Sequence, residues 1–315
     1  MNAARHRVAT LRFGAVGVLT VLAVACATTT GTPSQTTGTA QATQTPTEPA
    51  SASLNGCPAA AALSTLPVLA RVSGDPDDVV VTPSGSLWLS DRDGGRLLEL
   101  SASGDVLRTI ADPNGPEGIV VRADGKLLVA QQIPNRLDLV DPATSSFSPW
   151  LSLGTTASPT QGVDGLGARG TTVLIPDSAR GRLLTVAAGA SDLAGTPVVV
   201  ATGLGRPVGA VDDGAGGALV VLENTPGLVR VSLATGGVAA VAQFTSLDDV
   251  VVHHGIVYVA DLAEQSLVAV DPAGGASRAL VADAAAPQGL AVLPDGRLLL
   301  VDSTTRALVT VSSCG

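Results

Sequence analysis

The chain is poor in basic residues, and this scarcity excludes one broad class of partner. Its 315 residues include 18 Lys and Arg, with Lys126 as the single lysine, against 27 Asp and Glu, so the formal net charge is −9. Because binding to phosphate groups needs clustered Lys and Arg, we do not expect a nucleic acid as partner. The excess of acid suits a cation or a cationic ligand, although solubility is its more common role.

The sequence also lacks the short motifs on which many enzyme classes depend. It contains no CxxC pair, no nucleophile elbow and no phosphate-binding loop. Residues 165–170 match the letters of the dinucleotide fingerprint, but they follow a loop and precede a predicted strand, with no helix to receive a pyrophosphate. We therefore do not expect a nucleotide or dinucleotide cofactor.

The first 25 residues have the pattern of an export signal. Three arginines precede an apolar run over residues 13–25, which is short for a transmembrane helix. The segment from Ala23 to Cys26 resembles a bacterial lipobox, in which the cysteine is lipidated and becomes the first mature residue, although Ala23 stands where Leu is usual. We expect a lipoprotein held at the extracytoplasmic face of the cell membrane through Cys26. Ordinary secretion and an uncleaved anchor are the alternatives.

A polar tether is predicted to separate this signal from the folded region. Residues 26–56 consist mostly of Thr, Gln, Ser, Pro and Ala without apolar periodicity, which is typical of disorder. The folded region is then 57–315, with Cys57 and Cys314 at its two ends. An exported protein can keep a disulfide between them, and the alternative is two unpaired thiols.

Six internal repeats determine the predicted architecture. Each repeat opens with a related phrase: PDDVVV, PEGIVV, VDGLGA, PVGAVD, LDDVVV or PQGLAV. The third letters of these phrases lie 40 to 47 residues apart, at Asp78, Gly118, Gly165, Gly209, Asp249 and Gly289. A glycine-bearing turn, a continuous apolar strand and a third strand follow each phrase, and a more polar fourth strand follows in the first five repeats. Four-stranded units of this length are typical of β-propeller blades.

The sixth repeat has no fourth strand of its own, whereas the apolar segment at residues 67–72 has no blade. We therefore predict an all-β, monomeric, six-bladed β-propeller whose ring is closed by this N-terminal strand. A β-sandwich would not explain six repeats in phase.

Several phrases resemble those of a known group of propellers. PDGRLLLVDS, GIVYVADLAEQSLVAV and PEGIVVRADGKLLVA are similar to the NHL-repeat and senescence-marker-protein/gluconolactonase group, over about residues 66–315. This resemblance implies the propeller fold. The group includes enzymes, sensors and scaffolds, so the resemblance leaves activity open.

Four of the six repeats carry a carboxylate at the start of the first strand, where the strands of a propeller converge on the rim of the central channel. The residues before the six markers are Asp77, Glu117, Asp164, Val208, Asp248 and Gln288. Crowded carboxylates repel each other and must protonate, pair with arginine or share a cation. Asp77, Glu117, Asp164 and Asp248 are therefore the candidate ligands of calcium or another divalent cation. Neutralisation by Arg206 is the alternative.

A second, outer ring of polar residues is predicted to be structural. It ends the second strands at Asp91, Gln131, Asp177, Glu223, Asp261 and Asp302, where an Asp often accepts N–H bonds from the following turn. A local calcium loop at residues 91–95 is an alternative for one of these positions. His253 and His254 fall in a hairpin at the opposite rim and are read as a surface turn.

The family resemblance implies a metal on the channel axis held by a Glu, an Asn and an Asp. Glu117 matches the Glu, with Asp77 as a second possibility. Asp164 stands where the family has Asn, and Asp248 or Asp77 matches the Asp. In such an enzyme calcium would polarise an ester carbonyl and a rim carboxylate would activate water.

Three hypotheses of function follow. The first is a membrane-anchored propeller that binds a small ligand or a protein partner at its acidic rim. The second is a calcium-dependent hydrolase of lactones or esters, and the third is a scaffold without a small-molecule site. No catalytic residue is assigned from the sequence.

Overall fold

The computed structural model describes residues 54–112, 114–156, 162–189 and 191–315. This part of the chain is all-β, with 3-10 turns at Leu54–Gly56, Leu63–Thr65 and Ser178–Arg180. Within these ranges no helix has the length and apolarity needed to cross a membrane. The predicted signal peptide, Cys26 and nearly all of the predicted tether lie outside the described residues.

The strands form six sheets that follow the predicted repeats. Two short strands come first, β1 (Ala61–Ala62) and β2 (Val68–Arg71). Blade one is β3 (Pro76–Val81), β4 (Leu87–Asp91), β5 (Arg96–Leu100) and β6 (Val106–Ala111). Blade two is β7 (Pro116–Val121), β8 (Leu127–Gln131), β9 (Arg136–Asp141) and β10 (Ser146–Ser152). Blade three is β11 (Gly167–Arg169), β12 (Thr172–Asp177), β13 (Arg182–Ala187) and β14 (Val198–Thr202).

Blade four is β15 (Pro207–Asp212), β16 (Gly217–Leu222), β17 (Gly227–Ser232) and β18 (Val238–Gln243). Blade five is β19 (Leu247–His253), β20 (Ile256–Asp261), β21 (Ser266–Val270) and β22 (Ser277–Ala282). Blade six is β23 (Pro287–Val292), β24 (Leu298–Asp302) and β25 (Ala307–Val311), completed by β2. The innermost strands contact one another in chain order, and β23 contacts β3, so the six blades close into a ring.

The apolar second strand of each repeat forms the centre of its blade. Strands β4, β8, β16, β20 and β24 are buried along their whole length, as their continuous apolar sequence predicts for strands covered on both faces. The turns before these strands need a positive φ that glycine adopts without strain, for example Gly85 at 86° and Gly296 at 84°. The predicted six-bladed propeller is confirmed.

The hydrophobic core is divided into six clusters, one between each pair of neighbouring blades. Leu89 of blade one and Leu299 of blade six belong to one such cluster, and Trp88 and Leu127 to the next. Each fully buried side chain of this kind contributes about 1.5–3 kcal/mol to folding. Every blade therefore depends for its burial on both of its neighbours, and closure of the ring stabilises all six.

Closure uses two N-terminal strands, one of which was not predicted. Strand β2 pairs antiparallel with β25 and supplies the fourth strand of blade six, as predicted for residues 67–72. Strand β1 pairs in parallel with β22 and adds a fifth strand to blade five. Its two alanines carry no pattern that a sequence reading could detect. The N-terminal segment thus spans both blades at the seam.

A disulfide between Cys57 and Cys314 lies at the same seam. Both cysteines belong to the core cluster between blades five and six, and the amide of Cys314 donates to the Tyr258 hydroxyl at 3.0 Å. The amide of Leu63 donates to Asp283 of blade five at 2.8 Å. The covalent bond therefore ties the beginning and the end of the folded region where the ring closes.

Replacing both cysteines (Cys57→Ala with Cys314→Ala) should lower the free energy of unfolding by about 2–5 kcal/mol, because the bond constrains a long segment of the unfolded chain. Denaturant unfolding of parent and double variant measures the difference. Parent protein treated with a reductant serves as control and should lose a similar amount. An unchanged midpoint in both samples would contradict a stabilising role for the bond.

Candidate cation site at one mouth of the channel

One mouth of the central channel opens into a cavity of about 960 Å³. We call it the acidic cavity, because its lining includes all four predicted carboxylates, Asp77, Glu117, Asp164 and Asp248. The cavity lies at the N-terminal ends of the first strands, because these ends converge on the channel axis from different blades. The prediction that these residues share one rim agrees with their place in the structure.

Three of the four carboxylates meet closely. Asp77, Glu117 and Asp164 are buried, and each offers an oxygen within 4.8 Å of those of the other two. We call these three residues the acid cluster. Asp77 and Glu117 are the second residues of β3 and β7, so repetition of the blade places them in equivalent positions.

Asp164 reaches the cluster from a loop and not from a strand. The phrase VDGLGA predicts a first strand from Val163, but β11 begins only at Gly167. The amide of Gly118 donates to the Asp164 carbonyl at 3.1 Å, and the amide of Gly165 donates to the Val208 carbonyl at 2.6 Å. A Cβ on Gly165 would lie 2.6 Å from that same carbonyl oxygen, so close approach of the neighbouring strands requires glycine there.

Glu117 has the most constrained environment of the three. Its side chain is 1% exposed, and among the described residues no amide, hydroxyl or arginine donates a hydrogen bond to either carboxylate oxygen, while the Asp77 carboxyl is close enough to share a proton with it. Its nearest cationic neighbour is Arg92, with Nη1 at 3.7 Å from Oε1. Leaving a buried charged acceptor without a hydrogen bond is costly, so the site favours a proton or a cation beside Glu117.

Two arginines partly neutralise the cluster. Arg92 lies 3.6 Å from Asp77 through Nη1 and is anchored outside the cluster by Asp75, at 2.6 Å from Nη2. Arg206 lies 3.2 Å from Asp164 and also pairs with Glu223. The predicted pairing of Arg206 with this ring is present, whereas Arg92 was not recognised from the sequence. Arg92 follows an outer-ring acid directly, and that is the only signal that could have indicated it.

Asp248 lines the same cavity but is not part of the acid cluster. With its amide nitrogen turned towards Asp248, Gln288 donates to both carboxylate oxygens at 2.9 and 3.0 Å. Gln288, neutral in a ring of acids, therefore has a role that the sequence did not show. It satisfies one of the four carboxylates with a neutral donor.

Burial raises the pKa values of these carboxyl groups. Desolvation, reinforced by the charge of Asp164, raises the pKa of Asp77 to about 7. Desolvation and the charge of Asp77 also raise the pKa values of Glu117 and Asp248 well above their usual range. The pKa of Asp164 is raised by burial too, with Arg206 acting to lower it. Near neutral pH, protons and a cation therefore compete for the same oxygens.

Two further carboxylates lie one residue deeper in the channel, at marker positions where most repeats have glycine. Asp78 accepts from the amide of Ile119 on blade two at 2.9 Å, and Asp249 accepts from the amide of Leu290 on blade six at 2.7 Å. Each also accepts from the amide of its own following residue. These two acids therefore connect neighbouring blades through the backbone.

The outer ring is mainly structural, as predicted. Asp261 accepts from the amides of Ala263 and Glu264, and Asp302 accepts from the amide of Thr305. Glu223 differs from the other members, because it lines the acidic cavity beside Arg206.

The possible calcium loop at residues 91–95 is filled by protein groups. Asp91 accepts from the amides of Asp75 and Gly94 and pairs with Arg96 at 2.7 Å. A guanidinium and two amides thus take the places that an ion would need.

His253 and His254 stack on each other with ring centroids 3.9 Å apart, and neither lines the acidic cavity.

The acid cluster fits a divalent cation by geometry and by chemistry. Two oxygens bound to one calcium ion at 2.3–2.6 Å are at most about 5 Å apart, and the three oxygens, which lie within 4.8 Å of one another, meet this pairwise limit. All of the nearby ligand atoms are oxygens, as calcium and magnesium prefer. The orphaned oxygens of Glu117 supply acceptors that no protein donor uses.

Comparison with known protein families finds no match, and neither does comparison with curated protein sequences. Solved structures do match. A gluconolactonase from Xanthomonas campestris superposes with a TM-score of 0.63 at 14% identity, covering 78% of this chain and 88% of its own. The calcium-binding protein regucalcin from Agrobacterium tumefaciens gives 0.59 at 16% identity, covering 78% and 96%.

Virginiamycin B lyase from Staphylococcus aureus gives a TM-score of 0.57 at 10% identity, covering 74% of this chain and 79% of its own. At these identities the likeness shows the fold alone. The chain is a six-bladed β-propeller that resembles the gluconolactonase, regucalcin and virginiamycin B lyase structures, and its chemistry has to be argued from its own residues.

In calcium-free buffer the free energy of unfolding should fall as pH rises from 5 to 8. Folded Asp77 keeps its proton up to about pH 7, whereas unfolded Asp loses it near pH 4, so the stabilising proton is lost as pH passes through the folded pKa. The change is roughly 2 kcal/mol for this group alone. Denaturant unfolding at several pH values measures it.

Asp77→Asn should make that profile shallower, with part of the slope kept by Glu117 and Asp248, whose pKa values are also raised, whereas Asp105→Asn, at an exposed turn, should leave it unchanged. A parent profile that rises from pH 5 to 8, or an Asp77→Asn profile as steep as the parent's, would contradict the raised pKa of Asp77.

Proposed function

We propose that this chain is an exported, membrane-tethered propeller that binds a divalent cation of the calcium class in its acid cluster and a small ligand in the cavity above it. One observation carries the proposal. Asp77, Glu117 and Asp164 converge in a buried cluster in which both oxygens of Glu117 lack a hydrogen-bond donor among the described residues.

The physical argument starts from the cost of the cluster. Three carboxylates held this close in a buried site repel one another and lose hydration. Arg92 and Arg206, each of which also pairs with an acid outside the cluster, offset only part of this charge, and no amide, hydroxyl or arginine donates to Glu117. A divalent cation supplies the missing charge and accepts the free lone pairs of Glu117 at the same time.

Calcium is a better candidate than magnesium. Calcium accepts 6–8 oxygen ligands in flexible arrangements, whereas magnesium demands a near-ideal octahedron with distances of about 2.0–2.1 Å. Oxygens separated by up to 4.8 Å, on three different blades, suit the larger and less demanding ion. The regucalcin structure that resembles this chain is described as calcium-binding, which supports the same choice. The open cavity above the cluster leaves room for water or ligand oxygens to complete the coordination.

Calcium titration should show one site per chain, with a rise in melting temperature, and Glu117→Gln should weaken calcium binding by at least about tenfold because affinity follows the charge of the ligand set. Isothermal titration calorimetry at fixed pH measures the dissociation constant. Glu99→Gln removes a carboxylate outside the cavity and is the matched control.

A parent protein that does not bind calcium at millimolar concentration would refute the cation proposal. A Glu117→Gln variant that binds as tightly as the parent would show that calcium is held elsewhere.

Hydrolysis of a lactone or ester is a second candidate, favoured by Glu117. This carboxylate has a raised pKa and lies beside an open cavity, and an oxygen of it that does not bind the ion would accept a proton from water. A calcium ion bound in the cluster would supply a Lewis acid for a carbonyl oxygen. The resemblance to a gluconolactonase structure is consistent with this activity.

The variants of the calcium experiment also separate the two candidates. Turnover of a lactone and ester panel that requires calcium and disappears in Glu117→Gln would establish the hydrolase. Calcium binding without turnover would leave the binding function as the conclusion.

Export and attachment to the membrane through a lipid on Cys26 are part of the proposal, and they are inferred from the signal-like sequence at residues 1–25. The parent should incorporate labelled palmitate and Cys26→Ala should not, because a lipid anchor needs that thiol. An unlabelled parent that stays in the membrane fraction would favour an uncleaved anchor, and an unlabelled parent that is released would favour ordinary secretion.

A further inference from the structure

We infer that Arg92 is a built-in counter-cation of the acid cluster and competes with the divalent cation for Asp77 and Glu117. The inference rests on the proposed cation site, and it concerns a residue that the predicted ligand set did not contain.

Arg92 makes a short ion pair outside the acid cluster and longer ones to two of its members. Its Nη2 is held by Asp75 at 2.6 Å, and its backbone amide donates to the Asp75 carbonyl at 3.1 Å. Its Nη1 extends to Asp77 at 3.6 Å and to Glu117 at 3.7 Å, beyond hydrogen-bond distance. The guanidinium is therefore fastened outside the cluster and only loosely placed against the two carboxylates that a cation would use.

Arg206 is placed differently. It contacts a single member of the cluster, Asp164, and its other named ion pair is with Glu223. Arg92 alone is near two cluster acids, one of which is the carboxylate without a hydrogen bond. Its side chain is 39% exposed, so the guanidinium has solvent into which it can withdraw while Asp75 still holds it.

The positive charge of Arg92 weakens the binding of a cation to the acid cluster. An ion in contact with Glu117 Oε1 lies at most about 6 Å from Nη1 in the present geometry, given calcium–oxygen distances of about 2.3–2.6 Å. Repulsion between a doubly charged ion and a guanidinium at that distance weakens binding by about tenfold even with the dielectric constant of water. The ion therefore binds either against this repulsion, with Arg92 in place, or after the guanidinium has moved away.

The negative charge of the cluster can thus be offset by either of two positively charged groups, Arg92 or a divalent cation. Without a divalent cation, Arg92 limits repulsion between Asp77 and Glu117 and so allows the buried cluster to fold. With the cation bound, Arg92 is free to turn towards the cavity, where it lines the wall that a ligand would contact. The residue thus sets the calcium concentration at which the site fills.

Calcium titration calorimetry on the full chain tests the inference with three variants. Arg92→Gln should bind calcium about tenfold or more tightly than the parent. Arg92→Lys keeps the charge and should stay close to the parent. Arg108→Gln removes an arginine of similar exposure that pairs with Glu99 away from the cavity, and it should leave calcium affinity unchanged. Circular dichroism checks that each variant is folded.

Arg92→Gln binding with the parent's affinity, or more weakly, would overturn the role of Arg92 while leaving the cation site intact. Tighter binding in both Arg92→Gln and Arg108→Gln would also overturn it, because a general charge effect would then explain the result. Absence of calcium binding in the parent and in every variant would refute the cation site itself, and this inference with it.

Discussion

Convergence of the innermost strands on one axis is the constraint on which the rest of this structure depends. A propeller closes only if each blade packs its hydrophobic face against both neighbours, and the six clusters between blades do this around the whole ring. Closure brings the openings of β3 and β7 and the loop before β11 to the same rim. Acids that are distant in sequence, such as Asp77 and Asp164, are thereby forced together.

The electrostatic cost of that convergence shapes the site. Glu117 and its two partners are buried and mutually repulsive, and the molecule responds with Arg92, Arg206 and raised pKa values. Asp248, which lies outside the cluster, is instead hydrogen-bonded by a neutral donor, the amide of Gln288. Deeper in the channel, Asp78 and Asp249 are satisfied by backbone amides of the next blade. Among the described residues, Glu117 is the one carboxylate with both oxygens buried and without a hydrogen-bond partner, whereas Asp177 of the outer ring leaves one oxygen without one.

Stability and function occupy different parts of the same scaffold. The second strands, the disulfide and the N-terminal strands at the seam supply the packing that holds the ring closed. The rim residues contribute little apolar burial, and their charges oppose folding. A rigid ring that is stabilised elsewhere can hold carboxylates at short distances that a flexible loop would not maintain. The same ring occurs in proteins described as a lactonase, a calcium-binding protein and a lyase, so the fold alone decides none of these activities.

The sequence by itself determined the number of blades, most of their strands and the rim on which the acids lie. The repeat is local: an apolar second strand, a glycine turn and a fixed position for Asp77 or Glu117 recur with the blade and can be read without knowing the packing. It also indicated that residues 67–72 complete the last blade, because a repeat lacking one strand needs a partner. It could not show strand β1, whose two alanines have no periodicity.

The tertiary structure decided which acids meet and what accompanies them. The short β11 leaves Asp164 on a loop, held by the amides and carbonyls of neighbouring strands, and so places it in the cluster while Asp248 is paired with Gln288. Arg92 lies on the same blade as Asp77, and it reaches Glu117 only because blades one and two stand side by side. Distances between side chains on different blades depend on closure of the ring, and no pattern within a single repeat encodes them.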